Sequence, residues 1–268
     1  MRRVGFWIGI VVILSVILFP IIWVYLTSFK TPDDILTTPP KLVFSPTFYN
    51  YEYIVSVRPS LIEFRNSLII AISSTALVMA VALPAAYSFA RWNTGSGHLL
   101  FVTISTRMFP GVVAAIPFFF AFSKLGLLDT HVGLALLLFY FNMSFATFLL
   151  FGFFREVPEE LEQAAMVDGY GRLDVFRKVV FPLIKPGAVI TTIFCLVWAW
   201  NEFLYSLLFT RLDARTVSVG LSTFWGSVEI QWGPMAAMMA LAILPTLIIA
   251  WFMQRYIIRG LTFGAVKG

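Results

Sequence analysis

The sequence predicts an all-α integral membrane protein, because its composition and its division into long apolar segments both point to lipid. Of its 268 residues, 59% are hydrophobic and 12% are charged, against about 45–50% and about 25% in soluble chains. So few charged side chains could not cover a soluble domain of this length, and 28 Phe residues need an apolar environment. A β-barrel would require alternating segments of roughly 10 residues, and none is visible.

Six uncharged or nearly uncharged segments are each long enough to cross a bilayer as a helix of about 20 residues. They cover about 4–29, 66–90, 99–122, 132–154, 187–209 and 233–254. The first run exceeds the roughly 7–15 apolar residues of a signal peptide and lacks a cleavage site, so we expect an uncleaved span. Pro110, Pro117 and Pro245 predict kinked helices, which neighbouring helices and water can tolerate. We expect residues 1–268 to form one transmembrane domain.

The positive charges predict that both termini lie in the cytoplasm. With that orientation eleven Lys and Arg residues are cytoplasmic: Arg2, Arg3, Arg91, Arg155, Arg172, Arg177, Lys178, Lys185, Arg255, Arg259 and Lys267. Seven face outward: Lys30, Lys41, Arg58, Arg65, Lys124, Arg211 and Arg215. The small net charge of +5 therefore fits cytoplasmic anchoring better than nucleic-acid binding. One cysteine and two histidines offer neither a disulfide framework nor a metal cluster.

The inner loop at 155–186 predicts two short helices separated by a break. Acidic residues at 159, 160 and 162 suit the positive end of a first helix, and Leu161, Ala164 and Ala165 are expected on one face. Gly169 is expected to end it in the left-handed conformation. A second amphipathic helix is predicted over 173–181, with Pro182 and Pro186 ending it before the fifth span.

This loop is expected to dock onto another protein. Helices that rest on lipid headgroups usually carry a basic polar face, whereas the first helix here is acidic. Two longer outer segments, 30–65 and 210–232, are the other candidates for contacts with proteins; the first is rich in proline and aromatic residues.

The stretch Gln-Ala-Ala-Met-Val-Asp-Gly at 163–169, followed by Pro182 and Pro186, resembles the "EAA" loop of permease subunits of binding-protein-dependent ABC importers. The Trp-Asn-Glu-Phe run at 200–203 and the terminal Gly-Ala-Val-Lys-Gly at 264–268 resemble the carbohydrate, maltose-permease branch. The resemblance covers essentially the whole chain. One position departs from the pattern, because Gln163 stands where the family has Glu, and Glu160 or Glu162 could replace it.

The resemblance implies that the loop is a coupling helix seated in a cleft of a separate ATPase subunit. The residues implied in that contact are Glu160, Gln163, Ala164, Ala165, Asp168 and Gly169. It further implies a second, distinct permease chain, two ATPase subunits, an extracytoplasmic solute-binding protein, a sugar or polyol substrate, and a bacterial or archaeal inner membrane. The chain has no phosphate-binding Gly-x-x-x-x-Gly-Lys-Ser/Thr loop. We therefore expect no cofactor on this chain, with ATP and Mg on the partner ATPase.

Polar and aromatic residues within the spans are candidates for a substrate pathway, since buried ionisable groups are costly in lipid. Asn201 and Glu202, beside Trp198 and Tyr205, could bind a sugar, or could form interhelical hydrogen bonds near the outer interface. Arg107 could pair with an acid on a partner subunit, or could line an aqueous cavity and contact an anionic group. Phe118 and Asn142 are further candidates, with packing and interhelical bonding as the alternatives. A different reading of the chain is a secondary carrier that couples uptake to protons through Glu202.

Overall fold

A computed structural model describes residues 2–95, 97–108, 110–226 and 230–264, with side chains described from Gly5 to Gln254. Phe109 of the third predicted span, residues 227–229 of the second outer segment, and the terminal motif from Ala265 lie outside this range. The regular structure of the described residues is helical, apart from an isolated β-bridge between Trp225 and Ile230.

The helices are numbered in chain order. They are α1 (Arg2–Ser28), α2 (Pro32–Ile35), α3 (Tyr49–Ser56), α4 (Ser60–Trp92), α5 (His98–Ser105), α6 (Gly111–Lys124), α7 (His131–Glu156), α8 (Glu159–Val167), α9 (Arg172–Val175), α10 (Phe181–Asn201), α11 (Leu204–Phe209), α12 (Val217–Ser222) and α13 (Trp232–Gly264). A 3₁₀ turn, Thr106–Met108, follows α5, and a π turn, Phe176–Val180, joins α9 to α10.

Five helices within the described ranges are long and apolar enough to cross a membrane, and there are six if one bent pair counts as a span. The pair consists of His98–Met108 and Gly111–Lys124, which meet at an angle of 97°. The third predicted span is therefore broken more sharply than the expected kink. Pro110 has no N–H to donate to a preceding turn, so it interrupts helical hydrogen bonding. The next helix, α6, begins at the following residue, Gly111.

The fifth predicted span also differs from the structure, because its helix ends at Asn201 and α11 begins at Leu204. Glu202 has an extended backbone, with φ −66° and ψ 123°. Its Oε1 accepts a hydrogen bond from the Tyr205 N–H at 2.7 Å. Glu202 therefore lies between two helices and caps the second, since a carboxylate satisfies the free N–H groups at a helix start.

The expectation that Pro182 and Pro186 end a separate loop helix was wrong. From Arg172 to Asn201 the chain forms one helical span of 30 residues, in which both prolines lie. The π turn immediately precedes Pro182, and within it the Phe181 N–H donates to the Phe176 carbonyl. This widened turn changes the backbone hydrogen-bond pattern just before Pro182, which has no N–H to donate. The helix therefore continues past the proline.

The described chain divides into two compact units. The first contains residues up to Arg65 together with Thr216–Leu247. Its core includes Ile54, Phe224 and Met238, all almost fully buried. Buried Asn50 donates from Nδ2 to two carbonyls at the end of α1, those of Ser28, its last residue, and Lys30. These bonds attach α3 to the end of the first long helix.

The second unit contains Asn66–Arg215 and the chain from Ile248 onward. Asp129 anchors its 209–214 segment: the carboxylate accepts four backbone N–H groups, those of residues 211–214, at 2.8–3.2 Å. On another side of that segment, Asn66 Nδ2 donates to the carbonyls of Asp213 and Arg215. Partial burial acts to raise the pKa of the Asp129 carboxyl, but the four N–H donors outweigh it and lower the pKa.

We predict that Asp129→Asn loosens the 209–214 segment, because it removes the charge while asparagine still tolerates the left-handed φ of 56° at this position. Charge-assisted hydrogen bonds are the strong ones, so we expect a loss of about 2 kcal/mol. Hydrogen exchange of the amides at 211–214 should accelerate at pH 7.

The exposed Asp213→Asn in the same segment is the matched control and should leave exchange unchanged. Because folding lowers the pKa of Asp129, its stabilisation is complete above the ordinary value of 3.8 and is lost as the pH falls through the folded pKa. Equal exchange in both variants would contradict the anchoring role.

Candidate functional site

A buried ion pair attaches the loop helix α8 to the end of the long helix α4. Arg91 Nε lies 2.5 Å from Glu162 Oε1, with both side chains less than 10% exposed. The Tyr87 hydroxyl donates to Glu162 Oε2 at 2.6 Å, and Arg91 also donates to the Val157 carbonyl at 2.8 Å. Both carboxylate oxygens are therefore bonded, which is the condition under which a buried charge is tolerated.

The same end of α4 also contacts the helix that follows α8. The Arg172 guanidinium lies over the Trp92 ring at 5.7 Å. Tyr87 packs against Phe154 of α7 and Phe176 of the π turn, with ring centroids 5.3 and 5.0 Å apart. Both sides of the helix break are thus attached to the end of α4.

The break between α8 and α9 is a Schellman motif, as predicted for Gly169. The Tyr170 N–H donates to the Ala165 carbonyl, and the Gly169 N–H donates to the Met166 carbonyl. Gly169 has φ +90°, and no other atom lies within 4 Å of the position that a Cβ would occupy. Within this chain, glycine is therefore required by backbone conformation and not by close contact.

The structure leaves Glu160, Gln163, Ala164, Asp168 and Gly169 exposed on the loop surface. The list of predicted contact residues requires one correction, because Ala165 is 7% exposed and packs into the chain's own core. Glu162 and Ala165 are three residues apart and share the buried face, which directs Leu161 and Ala164 outward. The prediction that Leu161, Ala164 and Ala165 lie on one face was therefore wrong, because Leu161 and Ala164 are exposed and Ala165 is buried.

Sequence reasoning missed the exposure of several apolar side chains beside these residues. Val167 is 87% exposed, and Tyr170 and Leu173 are 44% and 60% exposed. Their positions in the sequence indicate this exposure, because apolar residues at a helix end or in a break have no neighbouring turn to cover them. The exposed surface of the loop thus combines acidic, small and apolar side chains, a composition suited to protein contact.

The predicted pathway residues form a second group in the same unit. Arg107, in the 3₁₀ turn, lies over the rings of Trp198 and Phe145 at 5.3 and 5.6 Å. Its Nη1 donates a hydrogen bond to the Phe141 carbonyl oxygen, with 3.0 Å between the two atoms. Within the described part of the chain, no carboxylate lies within ion-pair distance of Arg107.

Tyr205 and Phe118 belong to this group through Phe141. The Tyr205 and Phe141 rings are stacked, with centroids 4.5 Å apart, and Phe118 meets Phe141 edge-on at 5.8 Å. Glu202 adjoins the group through its bond to the Tyr205 N–H. That engagement leaves less reason to treat Glu202 as a proton-coupling group.

Two other predicted residues use their side chains for internal bonds. Asn142 is fully buried and donates to the Cys195 carbonyl, which joins α7 to α10. This is the interhelical alternative that the sequence left open. Asn201 is exposed, and its amide donates to the Val197 carbonyl one turn earlier in its own helix.

Comparisons with known proteins agree with the fold. Residues 79–263 match the family described as the binding-protein-dependent transport system inner membrane component. A solved bacterial ABC transporter for import of the acidic polysaccharide alginate has the same fold, with a TM-score of 0.80 at 20% identity, covering 95% of this chain and 96% of that one.

Two relatives illustrate the similarity in sequence. The chain is 36% identical over 255 residues to the sulfoquinovosyl glycerol permease SmoH of Agrobacterium fabrum, covering 94% of this chain and 89% of that protein. It is 32% identical over 276 residues to the trehalose/maltose permease MalG of Thermococcus litoralis, covering 100% and 98%. The chain therefore belongs to the family of inner membrane components of binding-protein-dependent transport systems.

Proposed function

We propose that this chain forms, with a second permease, the path by which an ATP-driven importer carries a sugar, oligosaccharide or polyol across the inner membrane. The observation that carries the proposal is the exposed loop helix attached to α4 by the Arg91–Glu162 ion pair. The chain is a permease subunit and not an enzyme, as its relatives are named permease proteins. ATP and Mg would be bound by the ATPase subunits.

The loop helix would transmit closure of two ATPase subunits to the membrane helices. Exposed Glu160, Gln163, Ala164, Asp168 and Gly169 would form the contact, and the missed apolar residues would extend it. Ala165 would support the contact from behind. A push on α8 reaches α4 through buried charge and hydrogen bonds, and reaches α10 through the continuous helix from Arg172.

For topology we propose six spans, with the bent pair as the third and both termini cytoplasmic. Residues 1–268 would act as one permease domain. The most apolar part of α1 buries no residue within the chain, which leaves it free for lipid or for the second permease. The outer segments 30–65 and 210–232 would contact an extracytoplasmic binding protein.

A carbohydrate substrate is supported by the relatives, whose names include trehalose/maltose and diacetylchitobiose transport. The group around Phe141 has the composition of a sugar site, because aromatic faces stack on apolar sugar faces beside polar donors. We propose Arg107, Trp198, Tyr205, Glu202 and Phe118 as residues of the pathway. Asn142 and Asn201 would shape it through the internal bonds already described.

We predict that Gly169→Asp abolishes the rise in ATPase activity that the loaded binding protein causes in the reconstituted importer. The substitution adds a charged side chain on the outer surface of the loop. It also places a non-glycine residue in the left-handed conformation of Gly169, which costs about 1–2 kcal/mol. The complex should still assemble, because the added atoms meet nothing within this chain. ATPase stimulation and co-purification of the subunits are the two measurements.

Gly171→Asp is the matched control, since Gly171 is exposed and its φ of −70° is accessible to any residue. It precedes α9, where aspartate is a favourable capping residue. It should keep at least half of the stimulation. Full stimulation in Gly169→Asp would contradict coupling through this loop.

We predict that Glu162→Gln destabilises the permease, because it leaves the Arg91 charge buried without its counterion. Removing one partner of a buried ion pair typically costs about 3–5 kcal/mol. The thermal midpoint of the purified complex should fall by several degrees. Glu160→Gln, which changes an exposed acid two residues away, should not alter the midpoint.

The double variant Glu162→Gln with Arg91→Gln removes both charges and should recover part of the lost midpoint. Equal midpoints for Glu162→Gln and Glu160→Gln would show that the ion pair does not hold the loop.

A further inference from the structure

We infer that Arg107 binds the negatively charged group of an acidic sugar and thereby favours acidic over neutral carbohydrates in this pathway. The inference rests on the proposed function and specifies its substrate class further. The negatively charged group is a carboxylate, sulfonate or phosphate. All three present several oxygen acceptors to the planar guanidinium group.

The position of Arg107 places it near the middle of a span. Its contacts on α7 are the Phe141 carbonyl and the Phe145 ring. These residues lie about 15–23 Å from the two ends of this 26-residue helix, at 1.5 Å per residue. A charge at that depth is costly unless it faces water or a counterion, and is a functional candidate by default.

Two interrupted spans meet α7 at this level. The break between Met108 and Gly111 follows Arg107 directly, and the break at Glu202 is followed by Tyr205, which stacks on Phe141. The ideal Cβ position on Gly111 lies 2.7 Å from the Tyr205 hydroxyl oxygen, so the two broken spans approach closely. Solute sites in transporters commonly form where broken helices meet near the bilayer midplane.

The guanidinium is held in place but retains unused donors. Cation–π contacts with Trp198 and Phe145 and one bond to the Phe141 carbonyl fix its position. Of its five N–H donors, the described part of the chain uses one. Arg107 is exposed within the chain, and the Glu202 carboxylate accepts a hydrogen bond from the Tyr205 N–H.

The neighbours of Arg107 suit a sugar ring next to the charge. Half-buried Trp198 and half-buried Phe145 present aromatic surface next to the guanidinium. A neutral sugar would use the aromatic surface alone, whereas an acidic sugar would also satisfy the unused guanidinium donors. Only the acidic sugar supplies a partner for the guanidinium charge in this low-dielectric site. The two sugars therefore differ in binding free energy, which gives the selectivity.

The test measures binding to the assembled importer in detergent at 50 mM salt, without binding protein, by ligand-observed NMR titration. The probes are methyl glucoside, methyl glucuronide and glucose 6-phosphate, so that the neutral sugar and two anionic groups are compared. We expect both acidic probes to bind the wild type at least tenfold more tightly than methyl glucoside. Arg107→Gln should remove that preference, so that the affinities for the three probes differ less than twofold.

Arg107→Lys keeps the charge and assembly but lacks the planar fork, and should show an intermediate preference. Arg155→Gln is the matched control, because Arg155 also lies over an aromatic ring, Phe151 at 5.8 Å, but near the end of α7. It should keep the wild-type preference.

Equal affinity for neutral and acidic probes in the wild type would overturn the inference and would leave the sugar permease function standing. Binding of none of the three probes would also overturn it. Binding-protein-dependent uptake of any sugar, measured separately in vesicles, decides the proposed function itself.

Discussion

Within a membrane, every backbone N–H and C=O needs a partner inside the protein, and the rest of this structure depends on how that requirement is met at its helix breaks. Glu202 supplies its carboxylate to the Tyr205 N–H, and the Ser206 hydroxyl donates to the Glu202 carbonyl. At the other break, Thr106 and Ser144 share a hydroxyl–hydroxyl bond that holds the 3₁₀ turn against α7. The breaks are built features with their own partners, and they bring polar groups to the middle of the bundle.

The loop helix obeys the same requirement outside the core. Its own length of nine residues is too short for independent stability, so its position must come from tertiary contacts. The Arg91–Glu162 pair, the Tyr87 hydroxyl and the Arg172–Trp92 contact provide them. A loop that was only flexible could not transmit a displacement, whereas one fixed to α4 and continuous with α10 can.

Much of this architecture could be predicted from sequence because lipid imposes simple rules on length and polarity. Helices α1, α4, α7 and α13 follow the predicted spans within a few residues, except at the start of α4 and the end of α13. Gly169 ends α8 as expected. The predictions failed where local hydrogen bonding overrides hydropathy: hydropathy alone does not register the cap made by Glu202 or the π turn before Pro182. The burial of Ala165 depended on the pairing of Glu162 with Arg91, 71 residues away, which no local pattern contains.

The central claim is that the exposed surface of α8 is the contact through which an ATPase drives this permease. It is tested most directly by placing the photo-crosslinker p-benzoylphenylalanine at Val167, which is 87% exposed at the end of the loop helix. Irradiation of membranes that contain the whole importer should give an adduct with the ATPase subunit whose yield changes when a non-hydrolysable ATP analogue is added. Adducts with lipid or with a permease alone, and none with the ATPase, would contradict the account.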